Sequence, residues 1–315
     1  MREVELTQRK PISEEPEGIM TEETTTLIEG SNVTRKTTRR LYTWDEIPEW
    51  QKDNEHILSG YIFETKSFRS CIKSLFYLHN ESVNIYTHLL PGICFFLVAI
   101  FNQYAIEHFE TTRLIDYIMI DLFFLGGFIC LMMSSLFHCL KCHSIEVAVF
   151  GNKLDYLGIV ALVVSSMVSI LYYGFYDYWP FFLIFSGITV TFGIACAVVS
   201  LGDTFRSREW RPYRASLFVA FGLSALLPVI AGILHYGFHA TWAKIQLKWL
   251  ILEGVFYILG AVLYGVRFPE RISPGTFDMW GHSHQLFHVL VVIAALCHLQ
   301  ALIGAYKFVH KNLIG

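Results

Sequence analysis

Charge is what this chain has least of. Lys and Arg together number 24 and Asp and Glu 27, so only 16% of 315 residues are charged, while 54% are hydrophobic and the mean hydropathy is +0.45. That balance leaves more apolar surface than a water-soluble fold of this length buries, and it excludes a soluble domain. No basic block is interleaved with aromatics, and a net charge of -3 gives nothing to attract nucleic acid. No secretory leader is expected, because the first 40 residues are polar and acidic. The first apolar span must therefore direct insertion itself. No lipidation signal is expected, since the chain neither opens Met-Gly nor closes on a CaaX cysteine. The seven cysteines (Cys71, Cys94, Cys130, Cys139, Cys142, Cys196, Cys297) are odd in number, irregular in spacing and mostly set in apolar runs, which excludes a disulfide framework and makes them packing residues.

What is present begins with a Glu- and Thr-rich stretch over residues 1–40, too poor in aromatics to offset its ordering entropy and so expected to be a disordered tail. Residues 41–82 read as a juxtamembrane segment. Within it Phe68, Cys71, Ile72, Leu75 and Phe76 recur at helical spacing opposite Lys66, Arg69 and Lys73, the pattern of a helix lying along the membrane surface.

Seven stretches then reach roughly the 20 apolar residues a helix needs to cross hydrocarbon. They run from Val83 to Tyr104, Tyr117 to Leu140, Leu154 to Phe175, Phe181 to Leu201, Tyr213 to Tyr236, Leu247 to Phe268 and His284 to Lys307. The expected fold is an all-α membrane protein, with a seven-helix domain over 83–307 and a short tail over 308–315. Basic residues concentrate in the loops on the side of the amino-terminal tail (Lys66, Arg69, Lys73, Lys141, Lys153, Arg206, Arg208, Arg211, Arg214, Arg267, Arg271). The other side has only Arg113, Lys244, Lys248, Lys307 and Lys311. This asymmetry predicts a cytoplasmic amino terminus and an extracellular or lumenal carboxyl terminus. Two sequons, Asn32-Val33-Thr34 and Asn80-Glu81-Ser82, would then face the cytosol and stay unmodified. Tyr and Trp between Tyr172 and Trp179 read as an aromatic belt. Neither an internal repeat nor broken-helix symmetry of the transporter kind is visible.

The alternation of crossings places chemistry at one depth. His138 ends the second span, Asp155 begins the third, and His284 and His288 begin the seventh, so all four lie on the tail's side of the bilayer. Ser134 precedes His138 by one helical turn on the same face, and His284 and His288 share a face by the same relation. A single histidine near a helix end is usually an interfacial or hydrogen-bonded residue. Three with an acid at one depth, in a medium that penalises unpaired polar groups, point to a shared metal site. Three neutral imidazoles with an open fourth position are the donor set of a catalytic zinc.

Other polar residues support less. Glu81, Asn84 and His88 share a face at the start of the first span and read as caps and a hydrogen-bond network ahead of ligands. His282 is an alternative ligand to His284 but points elsewhere on its helix. Cys139 and Cys142 make a CxxC beside His138 and His143, without the second CxxC a thiolate zinc site would require. Glu253 and Asp121 are intramembrane acids, functional hypotheses by default, and the sequence gives neither a role.

Taken together, the stretch Asn80-Glu81-Ser82-Val83-Asn84-Ile85-Tyr86-Thr87-His88, the block Ser134-Ser135-Leu136-Phe137-His138 with Lys153-Leu154-Asp155-Tyr156-Leu157-Gly158-Ile159, and Gly281-His282-Ser283-His284-Gln285-Leu286-Phe287-His288 resemble three signature regions. These are the regions of the progestin and adipoQ receptor family, which is haemolysin III-related. The resemblance is closest to its adiponectin-receptor branch and to fungal Izh-type members, and runs from about Leu41 to the carboxyl terminus. The SxxxH, Asp and HxxxH set also marks a broader group of membrane hydrolases that includes alkaline ceramidases.

The resemblance implies seven helices with an intracellular amino terminus, zinc held by His138, His284 and His288, and Asp155 with Ser134 beside the reacting water. It implies a membrane lipid of the ceramide class as substrate, cleaved at its amide. It leaves room for an extracellular protein ligand and a homo-oligomer, in the endoplasmic reticulum or the plasma membrane, within lipid and sterol metabolism and zinc homeostasis. Against the amidase stands a receptor whose zinc is structural and whose output passes through cytoplasmic partners. A G-protein-coupled receptor is disfavoured by the orientation and by the absence of an acidic-Arg-Tyr triplet after the third span and of Asn-Pro-x-x-Tyr in the seventh. A retinal pump lacks its mid-helix lysine, because Lys307 is too near the end.

Overall fold

In the computed structural model, residues 22–29, 32–202 and 208–314 are described. Two strands come first, β1 (Glu22–Glu29) and β2 (Asn32–Arg39), paired antiparallel with Glu22 opposite Arg39 and Glu29 opposite Asn32. Both strands fall within residues 1–40, the stretch expected to be a disordered tail. The β-branched residues Thr24, Thr25, Thr26, Ile28, Val33, Thr34, Thr37 and Thr38 suit an extended ladder, a local preference that the low overall hydrophobicity had masked. Residues 1–21 lie outside the described residues.

Eleven helices follow among the described residues: α1 (Phe68–Lys73), α2 (Ser82–Ile100), α3 (Asn102–Ala105), α4 (Leu114–Leu140), α5 (Ile145–Gly174), α6 (Trp179–Leu201), α7 (Arg211–Leu223), α8 (Leu226–Tyr236), α9 (Phe238–Lys244), α10 (Leu247–Val266) and α11 (Ser283–Asn312). Seven segments are long and apolar enough to cross a membrane, the fifth being α7 and α8 in line from Pro212 to Tyr236. Their outer faces carry exposed Leu90, Ile194, Val198, Leu234 and Ile251, and so much unpartnered apolar surface identifies an integral membrane protein.

Neighbours in the bundle follow chain order. α2 packs on α4, α4 on α5, α5 on α6, α6 on α7, α7 on α10 and α10 on α11, and α11 closes the ring against α2. The tightest seam, α4 against α5, depends on small residues: a Cβ at Gly126 would stand 1.8 Å from Ser165 Oγ, and one at Gly158 would stand 2.9 Å from Cys130 Cα. The largest buried cluster, including Phe95, Phe123, Leu131, Tyr173, Leu302 and Tyr306, fills the half of the bundle distant from the α4–α5 turn.

Three boundaries depart from the expected spans. α5 begins at Ile145 rather than Leu154, because the polar stretch through Asn152 and Lys153 continues the helix beyond its apolar part. The fifth span breaks at Ser224 and Ala225, where Pro228 has no N–H to give the carbonyl of Ser224. α11 runs to Asn312 and absorbs most of the expected carboxyl-terminal tail.

The juxtamembrane segment folds back over the end of the bundle that carries His138 and His288. Tyr42 bridges Tyr61, the Leu58 N–H and Ser59 hydroxyl both donate to Asp278 (2.8 and 2.7 Å), and the Asn54 amide donates to Glu270 (3.0 Å). Only the short α1 is helical in the stretch read as interfacial. A 3-10 turn over Ser74–Phe76 replaces its continuation, with Phe68, Ile72 and Phe76 exposed and Cys71 buried.

Candidate metal centre

One helix end and one helix start build the site. α4 ends just beyond His138, which is buried, and α11 starts just before His284. The start of α11 is held by Glu270, which is fully buried and accepts from the Ser283 N–H at 2.7 Å and from the Ser283 hydroxyl. A carboxylate on the free N–H groups of a first turn is also favoured by the helix dipole. Gly281 takes a φ of +81° to bring the chain into this turn, and its N–H donates to Gln285 Oε1 at 2.6 Å. With the helix start fixed, the i,i+4 spacing stacks His284 and His288 on one face, ring centroids 4.6 Å apart.

His138 meets both rings at 4.9 Å between centroids, and one nitrogen of each of the three lies within 4.8 Å of the others. The outward nitrogens are engaged. His138 Nδ1 is 2.7 Å from Glu81 Oε2, and His288 Nδ1 donates to the Asn84 carbonyl at 3.0 Å. These contacts put the ring protons of His138 and His288 on Nδ1 and leave the Nε2 of each as a lone pair. His138 Nε2 stands 3.1 Å from His284 Nε2. Ligands about 2.0–2.1 Å from a tetrahedral zinc are separated by about 3.3 Å, so the donor set, and the spacing of the His138–His284 pair, fit that ion.

Glu81 is the centre of a charge network. Its carboxylate also receives Lys141 Nζ at 2.5 Å and the Asn84 amide at 2.6 Å. Burial works against the charged form of Glu81, but Lys141 and His138 hold its carboxyl well below the usual carboxylate range. Burial likewise opposes charge on Lys141, and Glu81 outweighs it and raises the lysine. His88 lies face to face with His288 at 3.8 Å and 7°, its Nε2 3.3 Å from the His288 carbonyl, and so belongs to the support network.

Asp155 and the buried Ser134 line the same cavity as the three histidines. The Asp155 carboxyl interacts with the Ser134 hydroxyl and feels the charge of His138, and it stands outside the group of converging nitrogens. His282 turns to the Asn80 carbonyl at 3.4 Å. Cys139 and Cys142 turn to Cys71, whose Sγ lies 3.5 Å from that of Cys142, so the CxxC does not join the imidazoles. Asp121 receives the Asn102 amide at 2.9 Å, and Glu253 pairs with His298 at 2.9 Å.

The expected hydrogen-bond network at Glu81, Asn84 and His88 is present, and within it Glu81 makes no side-chain cap bond but orients His138. Two further supporting residues carry no signal in the sequence reading. Glu270 carried no motif. Tyr264 packs its ring 5.2 Å from that of His284, and only its place on α10 opposite α11 could have flagged it. The sequon at Asn80 carries no information on orientation, because Asn80 is buried and its amide donates to the Ser59 carbonyl.

A cavity of about 840 Å³ opens beneath the imidazoles. It runs from Trp50, Asn54 and Ile57 past His138, Asp155 and His288 to Leu250, Ile245 and Lys244. Its volume lies in the range of small-molecule sites, and most of its wall between the imidazoles and Ile245 is aliphatic.

The profile of the family described as haemolysin-III related matches residues 76–299. The chain is 61% identical over 276 residues to the ADIPOR-like receptor IZH2 of Saccharomyces cerevisiae, covering 88% of this chain and 87% of that one. It is 42% identical over 257 residues to the adiponectin receptor protein of Drosophila melanogaster, covering 81% of this chain and 57% of that one. It is 36% identical over 276 residues to heptahelical transmembrane protein 1 of Arabidopsis thaliana, covering 84% and 80%.

Proposed function

This chain belongs to the haemolysin-III related family, and from that premise we propose that it is a zinc-dependent lipid amide hydrolase built on an adiponectin-receptor-like seven-helix frame. The observation that carries the reading is the convergence of one nitrogen from each of His138, His284 and His288 within 4.8 Å of the others. Three neutral imidazoles so placed are the donor set of a zinc with one open position.

His138, His284 and His288 would hold the ion, and zinc bound there would supply a Lewis acid to polarise an amide carbonyl and bring the pKa of water toward neutrality. Glu81 fixes the His138 ring through Nδ1 and raises its basicity, and the Asn84 carbonyl does the same for His288. Asp155 takes a proton from the attacking water and returns it to the leaving nitrogen. Ser134 donates to the oxygen that gains charge as the carbonyl carbon becomes tetrahedral. Water adds, the C–N bond breaks, and a carboxylic acid and an amine result. The cavity takes the apolar chain, which makes a ceramide-like lipid the substrate class. The basic loops beside the site favour a cytosolic amino terminus, with hydrolysis on the inner leaflet. The setting inferred from the fungal resemblance is lipid and sterol metabolism together with zinc homeostasis.

A second reading has support in the names of the yeast and fly relatives, which are receptors. In it the same zinc is structural and the protein signals through cytoplasmic partners. Ceramide turnover by the purified full-length protein separates the two. The hydrolase reading predicts fatty acid release by wild type and a loss of at least about a hundredfold in Asp155→Ala with zinc retained. Absence of release from both proteins while zinc stays bound contradicts it.

A further inference from the structure

The cavity holds an acid that the hydrolytic site does not use. Glu253 of α10 meets His298 of α11, with His298 Nδ1 2.9 Å from one carboxylate oxygen, and both residues line the cavity. From His288 to His298 the helix rises about 15 Å, so this pair lies well inside the bundle, with the Phe123 ring 4.9 Å from that of His298. An ionisable pair at such depth is costly, and intramembrane acids mark binding sites more often than they serve as struts.

Its hydrogen bonds are incomplete. Glu253 gives Oε2 to His298, while Oε1 accepts from no side chain among the described residues, and His298 Nε2 is buried without a partner. Tyr257 follows Glu253 by one turn on the same face of α10, lines the same cavity and interacts electrostatically with the acid. Acceptors and a phenol on the wall of one cavity suit a group that both donates and accepts one hydrogen bond. A hydroxyl does both.

We propose that Glu253, His298 and Tyr257 form a second polar subsite that binds a hydroxyl group carried near the middle of an otherwise apolar lipid chain. The proposal rests on the reading of the cavity as the place of the substrate's chain. The chain hydroxyl donates to the free acceptor of the Glu253–His298 pair, and its oxygen accepts from Tyr257.

Equilibrium binding to the purified full-length protein in nanodiscs tests this with three probes, corrected for partition into empty nanodiscs: stearic acid, stearic acid with one mid-chain hydroxyl, and stearic acid with a hydroxyl beside the carboxyl. Wild type should bind the mid-chain hydroxy acid about tenfold more tightly than stearic acid, the strength of one hydrogen bond to a charged group, and gain nothing from the other hydroxyl. Glu253→Leu should lose the preference and bind stearic acid and the mid-chain hydroxy acid alike, and so should His298→Phe. Equal binding of all three acids by wild type, binding of none of them, or a preference that survives both substitutions overturns the proposal. The wild-type comparison decides even where a variant does not fold. Stearic acid bound without preference removes the subsite and leaves the hydrolase reading standing. A preference intact in a protein that turns over no ceramide removes the hydrolase reading and leaves the subsite.

Discussion

Glu81 Oε2 stands 2.7 Å from His138 Nδ1, tying the start of the first membrane helix to the ligand-bearing end of the second. A carboxylate behind a metal-binding imidazole orients the ring and strengthens it as a donor, and its loss typically costs 10–100-fold in metal affinity. Glu81→Ala should therefore weaken zinc binding by about that factor while His284 and His288 stay in place. Competition against a chelator of known affinity reads the change; unaltered affinity would make Glu81 a structural residue only.

Glu270 ties the beginning of α11 through the Ser283 N–H and hydroxyl and, by the Asn54 amide, joins it to the juxtamembrane segment. Glu270→Ala leaves those donors buried without an acceptor. We expect a loss of about 1–3 kcal/mol, visible as a lower melting temperature in detergent, and weaker zinc binding through displacement of His284.

Gly158 faces Cys130 across the seam between α4 and α5, and an added Cβ would meet backbone there at 2.9 Å. Gly158→Val forces the helices apart between Asp155 and Ser134. The expected cost is about 1–3 kcal/mol in thermal stability, with catalytic turnover falling more than zinc content.

His79 lies outside the membrane helices, where burial drives its pKa down to about 4 and the charge of Glu81 opposes this only in part. Its Nδ1 accepts from the Glu81 N–H at 3.2 Å, consistent with a neutral ring. Because the folded value lies below the unfolded one of about 6.5, the unfolded chain takes up a proton first as pH falls. Stability is unaffected above that value and declines from about pH 6.5 toward pH 4, by at most about 1.4 kcal/mol per unit for this group. Melting temperatures across that range should flatten in His79→Gln; an unchanged slope would contradict the assignment.

Much of this was legible in the sequence, for physical reasons that differ by residue. The spans from Val83 and from Leu247 were found nearly to their ends because a lipid-facing helix must be apolar along its length. The convergence of His138, His284 and His288 followed from counting crossings, since alternate helix ends share a side of the bilayer. Residues acting through long-range contacts were not legible. Glu270 caps a helix from the preceding loop, and His298 meets Glu253 from another span; neither geometry has a local pattern. The break at Ser224 was hidden because Pro228 sits in an uninterrupted apolar run.

The central claim is that three imidazoles share one zinc ion, and elemental mass spectrometry of the purified full-length protein tests it most directly. One zinc per chain is expected in wild type, with zinc lost from His138→Ala, His284→Ala and His288→Ala proteins that remain folded. Wild-type protein purified without stoichiometric zinc, or zinc undiminished in all three variants, would contradict the account.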